Sequence, residues 1–168
     1  EEDDKIVFSD IVLPPFPATN ELINLNSSAL FTASKLTLPD PGVKEGYVLT
    51  DLNRNQNYTI DLGNWLEPDE YVKLRITNTM NFGLNYTVIG TGKLMILYDH
   101  KSNFTITGRM NDGFSDPTKL LLVLKSNSSN PSFSVHQNAS VVASIISDST
   151  SDLFLPARGF FGFIATDR

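Results

Sequence analysis

The sequence contains no cysteine, which excludes disulfide staples, thiolate metal sites and a cysteine nucleophile in one step. It has one tryptophan and two histidines in 168 residues, so near-neutral acid-base chemistry has only His100 and His136 to draw on. Neither stands in a nucleophile or metal-ligand spacing, and no serine occupies a G-x-S-x-G elbow. Basic charge is also short: 13 Lys and Arg face 19 Asp and Glu, a net charge of -6. Such a surface repels phosphate, which argues against nucleic acid or an anionic membrane as a partner. No apolar run approaches the roughly 18 to 20 residues of a membrane span, so no membrane insertion of the mature chain is expected. The chain opens on Glu1 rather than Met, which reads as a processed start.

Helical periodicity is missing too. In its place, short Val, Ile, Thr, Tyr and Phe runs recur every 8 to 12 residues or so between Gly, Pro, Asn and Asp clusters. The clearest alternation is Tyr71 to Thr79, with Val72, Leu74 and Ile76 on one face and Lys73, Arg75 and Thr77 on the other. Similar strands are expected over 47–50, 56–62, 84–90, 93–98, 103–107, 119–125, 132–136, 139–147 and 159–166. With 40% hydrophobic residues there is enough apolar surface for one folded domain. About ten alternating strands with no visible internal repeat predict an all-β, antiparallel Greek-key β-sandwich, jelly-roll-like, over residues 18–168. Its core is expected to include Val72, Leu74, Ile76, Leu121, Val123, Val141, Ile145, Phe161 and Ile164. The runs 120–124 and 141–146 are apolar on both faces and read as central strands covered on each side.

Residues 1–17 read as an extended N-terminal arm. Glu1 to Asp4 are acidic, and Ile6, Val7, Phe8, Ile11, Val12 and Leu13 then place apolar side chains on both faces of one strand. Pro14, Pro15 and Pro17 follow, a stretch of fixed φ that cannot continue a sheet. Strand plus stiff hinge is the pattern of a donor strand that completes a neighbour's sheet, with an ordinary first strand as the simpler alternative.

Six Asn-X-Ser/Thr sequons occur, at Asn26, Asn57, Asn85, Asn103, Asn127 and Asn138. Three are phased outward: Asn57, Asn85 and Asn103 alternate with Tyr58 and Ile60, Tyr86 and Val88, and Phe104 and Ile106 respectively, so N-glycans there would leave the core undisturbed. Other chemistry is thin. Asn111, Asp112, Gly113 and Asp116 put hard oxygens on a turn where Ca2+ is conceivable, although no cofactor is expected and a structural turn is the plainer reading. Asp99 beside His100 reads as a solvated strand end. Carboxylates from Asp99, Asp112, Asp116, Asp148 or Asp152 would have to meet in space to work as a glycosidase pair, and no enzyme is expected. Trp65, Tyr47, Tyr71 and Phe82 are the aromatic residues from which a sugar-stacking platform would be built.

The turn Gly63, Asn64, Trp65, Leu66, Glu67, Pro68, Asp69, Glu70, leading into the strand Tyr71 to Thr79 that ends in Asn78 and Thr79, resembles the acidic turn and strand of exported archaeal filament subunits. These are the β-sandwich subunits of threads, bundling pili and biofilm fibres. The resemblance implies a non-enzymatic subunit of an extracellular, cell-surface filament, assembled from copies of itself head to tail by donor-strand complementation. A second stretch, Leu36 to Pro41 with Gly46 to Leu49 and later Ile146 to Thr150, is similar to the turn punctuation of viral and phage fibre domains. That likeness implies a virion-surface module instead. A carbohydrate-binding adhesin domain is the third expectation.

Overall fold

The structure, a computed structural model, describes residues 12–54, 56–81, 85–112, 114–126, 133–148 and 160–166. Strands follow one another around a coil. The first coil carries β1 (Ile23–Asn24) and β2 (Lys35–Thr37), the second β3 (Tyr47–Asn53) and β4 (Tyr58–Asp61), the third β5 (Tyr71–Asn81) and β6 (Asn85–Ile89). The fourth carries β7 (Lys93–His100), β8 (Phe104–Ile106) and β9 (Arg109–Met110), and the fifth β10 (Leu120–Ser126), β11 (Phe133–Val135) and β12 (Ser140–Val142). Then come β13 (Ser144–Ser147), β14 (Phe160–Phe161) and β15 (Ile164–Thr166). Each strand pairs in parallel with its counterpart one coil away. The result is a β-solenoid of about five turns, with one wall ordered β1-β3-β5-β7-β10-β13-β15, a second ordered β14-β12-β9-β6-β4-β2, and a short third of β8 and β11.

This overturns the expected antiparallel Greek-key sandwich. The strand positions agree closely with those read from the sequence, but the partners differ. A solenoid strand has one face inside and one outside, so it alternates just as a half-buried antiparallel strand does, and alternation alone does not report pairing direction. The repeat was invisible for a related reason. Along the first wall the inward rung Ile23, Tyr47, Leu74, Ile96, Leu122, Ile145, Ile164 advances by anything from 19 to 27 residues per coil. Corners of different length absorb the variation, and repeat architectures are recognised by a fixed period.

Inside, the coils stack like on like. Tyr47, Leu74, Ile96, Leu122 and Ile145 of that rung are fully buried, as are Leu36, Ile60 and Val88 on the second wall. Tyr58 and Tyr86 are register partners with ring centroids 5.6 Å apart, and Phe31 meets Tyr58 edge-on at 6.5 Å. Burial pushes the phenols of Tyr47 and Tyr86 up to about 12, helped at Tyr47 by Asp40. Both therefore stay protonated, and Tyr47 spends its proton on the Pro39 carbonyl.

Three of the nine expected core positions differ. Val123 is fully buried as expected, although on the outer face. Leu121 is half-buried and points outward, because Leu120, Leu122 and Leu124 take the inner face. Phe161 is 55% exposed and Ile164 is half-buried on the last strand. Residues 139–147 and 159–166 do not form single strands either: Ala143 is a corner that sends β12 to the second wall and β13 to the first, and Gly162 and Phe163 separate β14 on the second wall from β15 on the first.

The corners need glycine where coils touch. Gly90 has φ +93, and a Cβ there would lie 2.5 Å from the Gly63 carbonyl oxygen of the coil below, whose oxygen accepts from Thr91 N–H at 2.7 Å. Asn111 is the one described non-glycine at positive φ. It turns the chain out of β9, yet its Oδ1 accepts from Val88 N–H at 2.8 Å, so the side chain continues the ladder where the backbone has left it. Gly90→Ala is expected to cost roughly 2 to 4 kcal/mol through the backbone collision. Gly42→Ala, equally left-handed but with open space around it, should cost only about 1 kcal/mol. Urea unfolding of the two variants checks the contrast.

Candidate functional site

Stacking coils pairs the interior strands of the first and second walls on both sides and leaves the ends, while β8 and β11 pair with each other. Among the described residues, β1 and β15 in the first wall and β14 in the second pair on one side only, whereas the outer edge of β2 is taken by its own chain, Thr37 N–H donating to the Leu30 carbonyl and Thr32 N–H to the Lys35 carbonyl. Unpaired edges of this kind are templates for another chain. They are short, two or three residues each, against seven to eleven in β3, β5, β7 and β10. The last coil also shows apolar rings to solvent: Phe161 is 55% exposed and Phe163 is 60% exposed.

Ile6, Val7, Phe8 and Ile11 of the expected donor strand lie outside the described residues, while Val12 is exposed and Leu13 half-buried. The proline stretch is not a free hinge. Pro17 is buried and its carbonyl accepts from Arg75 Nη1 at 2.6 Å. The Phe16 ring has the Arg75 guanidinium at 5.8 Å and the Lys125 ammonium at 5.7 Å. These two cations stand on the outer face of the first wall, where Arg75, Leu97 and Val123 form one rung and the last two are fully buried. Residues 16 and 17 thus lie against cations of the outer face of the first wall. Arg75 is held in turn by Asp99, whose Oδ2 accepts from Nη2 at 2.8 Å and from Nε at 3.3 Å.

That pairing corrects the reading of Asp99 and His100 as a solvated strand end. Both are buried, and His100 sits among Tyr98 and Phe104 with Nδ1 3.0 Å from the Ser102 carbonyl. His136 is exposed, with its Nδ1 accepting from Asn138 N–H. The carboxylates that a glycosidase would need are spread out and engaged. Asp112 binds Ser140 and Arg109, and Asp148 accepts from Ser126 N–H. Asp116 caps Thr118, and those hydrogen bonds hold its carboxyl below the usual range; Asp152 lies outside the described residues. Among the described residues no group of three His, Asp or Glu is placed to hold a metal, and the two acids of the conceived Ca2+ turn, Asp112 and Asp116, are both occupied within the protein; Gly113 is not described. Among the described residues the aromatic platform is not assembled. Tyr47 points inward, Trp65 donates Nε1–H to the Leu38 carbonyl at 2.8 Å, Tyr71 donates to the Thr118 carbonyl, and Phe82 is not described.

The phase expected of the sequons is the phase found. Tyr58, Ile60, Tyr86, Val88, Phe104 and Ile106 are buried, while Asn57 and Asn103 are exposed just ahead of β4 and β8. Asn26 and Asn138 are exposed as well, although Asn26 is tied into its turn, accepting from Thr50 N–H and donating to Asn24. Asn127 lies outside the described residues. Asn85 differs: it is half-buried, with its Oδ1 enclosed. Asn57 and Asn85 each precede the Tyr58 to Tyr86 rung, so they stand one coil, about 4.8 Å, apart. Two oligosaccharides do not fit at that spacing. Comparison with family models, with curated proteins and with solved structures finds no match.

Two outcomes follow from this geometry. Arg75→Met leaves the Asp99 carboxylate buried beside Leu97 without its partner, an expected loss of about 2 to 3 kcal/mol, and adding Asp99→Leu should recover most of it; urea midpoints measure both. Glycopeptide mapping of natively produced protein should find Asn57, Asn103 and Asn138 occupied and Asn85 bare, and occupancy of Asn85 together with Asn57 would contradict the spacing argument.

Proposed function

We propose that this chain is a non-enzymatic structural subunit of an extracellular surface filament, joined head to tail by β-strand addition and N-glycosylated along its sides. The observation that carries the reading is the pairing pattern: interior strands of the first and second walls are paired on both sides, and among the described residues β1, β15 and β14 on one. A heterologous contact between two different ends propagates as an open chain rather than closing a ring. The outward sequons agree with it, since Asn57, Asn103 and Asn138 are exposed on the second to fifth coils, away from the ends. An acidic surface of net charge -6 keeps such rods from bundling side by side at low salt.

The experiment is size against concentration. Light scattering and negative-stain microscopy should show rods of one fixed width whose length grows with protein concentration. A strict monomer across the range, or a closed trimer of constant mass, would contradict the filament and favour a self-contained fibre module.

A further inference from the structure

The outer face of the first wall is unlike that of the second. Its rung Asn24, Val48, Arg75, Leu97, Val123, Ile146, Ala165 is apolar except at Asn24 and Arg75, and Met95 and Leu121 stand in the rung beside it. On the second wall the outward positions of β4 and β6 are Thr59, Asp61, Asn85 and Thr87, polar but for Ile89. Water does not reach the middle of the apolar rung: Leu97 and Val123 are fully buried although they point away from the core. We propose that residues 13–17 are the cover, an extended strap of the chain itself, laid face-on across the third, fourth and fifth coils and clasped there by Arg75, Asp99 and Lys125. The strap is independent of whether copies join end to end.

Phe16 fixes where the strap lies. Arg75 is on β5 and Lys125 on β10, with β7 between them, so their backbones are about 10 Å apart. One ring with the Arg75 guanidinium at 5.8 Å and the Lys125 ammonium at 5.7 Å therefore stands over β7, the strand of Leu97 and Asp99. Pro17 is buried and Leu13, Pro14 and Phe16 are half-buried, while Val12 and Pro15 are exposed, the pattern of a chain with one side on a surface. The prolines that bar this stretch from a ladder suit it to a face. A sheet face offers side chains and no backbone partners, so an amide laid on it loses water without a replacement. Pro14, Pro15 and Pro17 have no N–H to lose. The Pro17 carbonyl is satisfied by Arg75 Nη1 at 2.6 Å, and Arg75 is itself neutralised by Asp99 at 2.8 Å, so the clasp leaves no unpaired charge between strap and wall. Fixed φ also reduces the freedom that docking removes. Coils of a solenoid touch only their neighbours, whereas the strap ties the third to the fifth.

Because the chain has no cysteine, one introduced thiol reports each site. In full-length protein, Val123→Cys places a thiol under the strap and Val141→Cys places one inside the second wall. Both valines are fully buried, so static exposure does not separate them. Each variant is matched to the parent by circular dichroism and melting, then labelled with a water-soluble thiol reagent at a series of urea concentrations below the transition. Strap release uncovers little surface, so Val123→Cys should label at least roughly tenfold faster than Val141→Cys and at a rate nearly independent of urea. Val141→Cys should label only through global unfolding, with a steep rise in urea. Adding Phe16→Ser should speed labelling at position 123 at least roughly tenfold further, whereas Phe161→Ser, on a ring that is 55% exposed in the last coil, should leave it unchanged. Equal rates and equal urea slopes for the two thiols would overturn the strap, because position 123 would then open only with the whole solenoid. Immediate labelling of Val123→Cys in the parent background would overturn it as well, and so would a rate at 123 indifferent to Phe16→Ser. The comparison of urea slopes needs no change in the strap and holds even if Phe16→Ser weakens the fold.

Discussion

Everything in this protein depends on the parallel backbone ladder between successive coils. A single coil of about 24 residues buries nothing on its own, because its inward side chains have no second layer to meet. Once strands pair in register, each inward residue lies about 4.8 Å from its counterpart above and below, and a column such as Leu74, Ile96 and Leu122 becomes core. The ladder also sets what corners must be. Coils this close leave no room for a Cβ at Gly90, and they reward a side chain that mimics backbone, as Asn111 does toward Val88.

The same constraint ties structure to the functional proposal. A sandwich closes its core between two sheets, whereas a solenoid stops only where its last coil does. On the proposed reading its ends receive another copy and its flanks carry the glycans. The exposed Val43, Phe161 and Phe163 belong to the first and last coils. On the outer face of the first wall Phe16 and Pro17 are fixed by the protein's own cations, Arg75, itself held by Asp99, and Lys125.

Strand positions and inward phase were legible residue by residue. Val72, Leu74 and Ile76 point inward as their alternation requires, and Tyr58, Tyr86 and Phe104 are buried opposite their sequon asparagines. Pairing was not legible, because one-sided burial produces the same alternation in either direction. Nor were corners inside apolar runs: nothing in Val141 to Ile146 marks Ala143 as the point where the chain changes walls, and Phe161 reads as core until its strand is seen to be the last. Asp99 and His100 are charged or titratable neighbours at a strand end, and only the return of Arg75 from another coil explains the burial of Asp99, while Tyr98 and Phe104 enclose His100. That contact is 24 residues distant in sequence, beyond the reach of local pattern.

Fibre diffraction from aligned, natively assembled protein tests the central claim most directly. If copies join head to tail by strand addition, the strands lie across the filament axis. The pattern should then show a reflection near 4.8 Å on the meridian. A strand-spacing reflection on the equator would contradict the account.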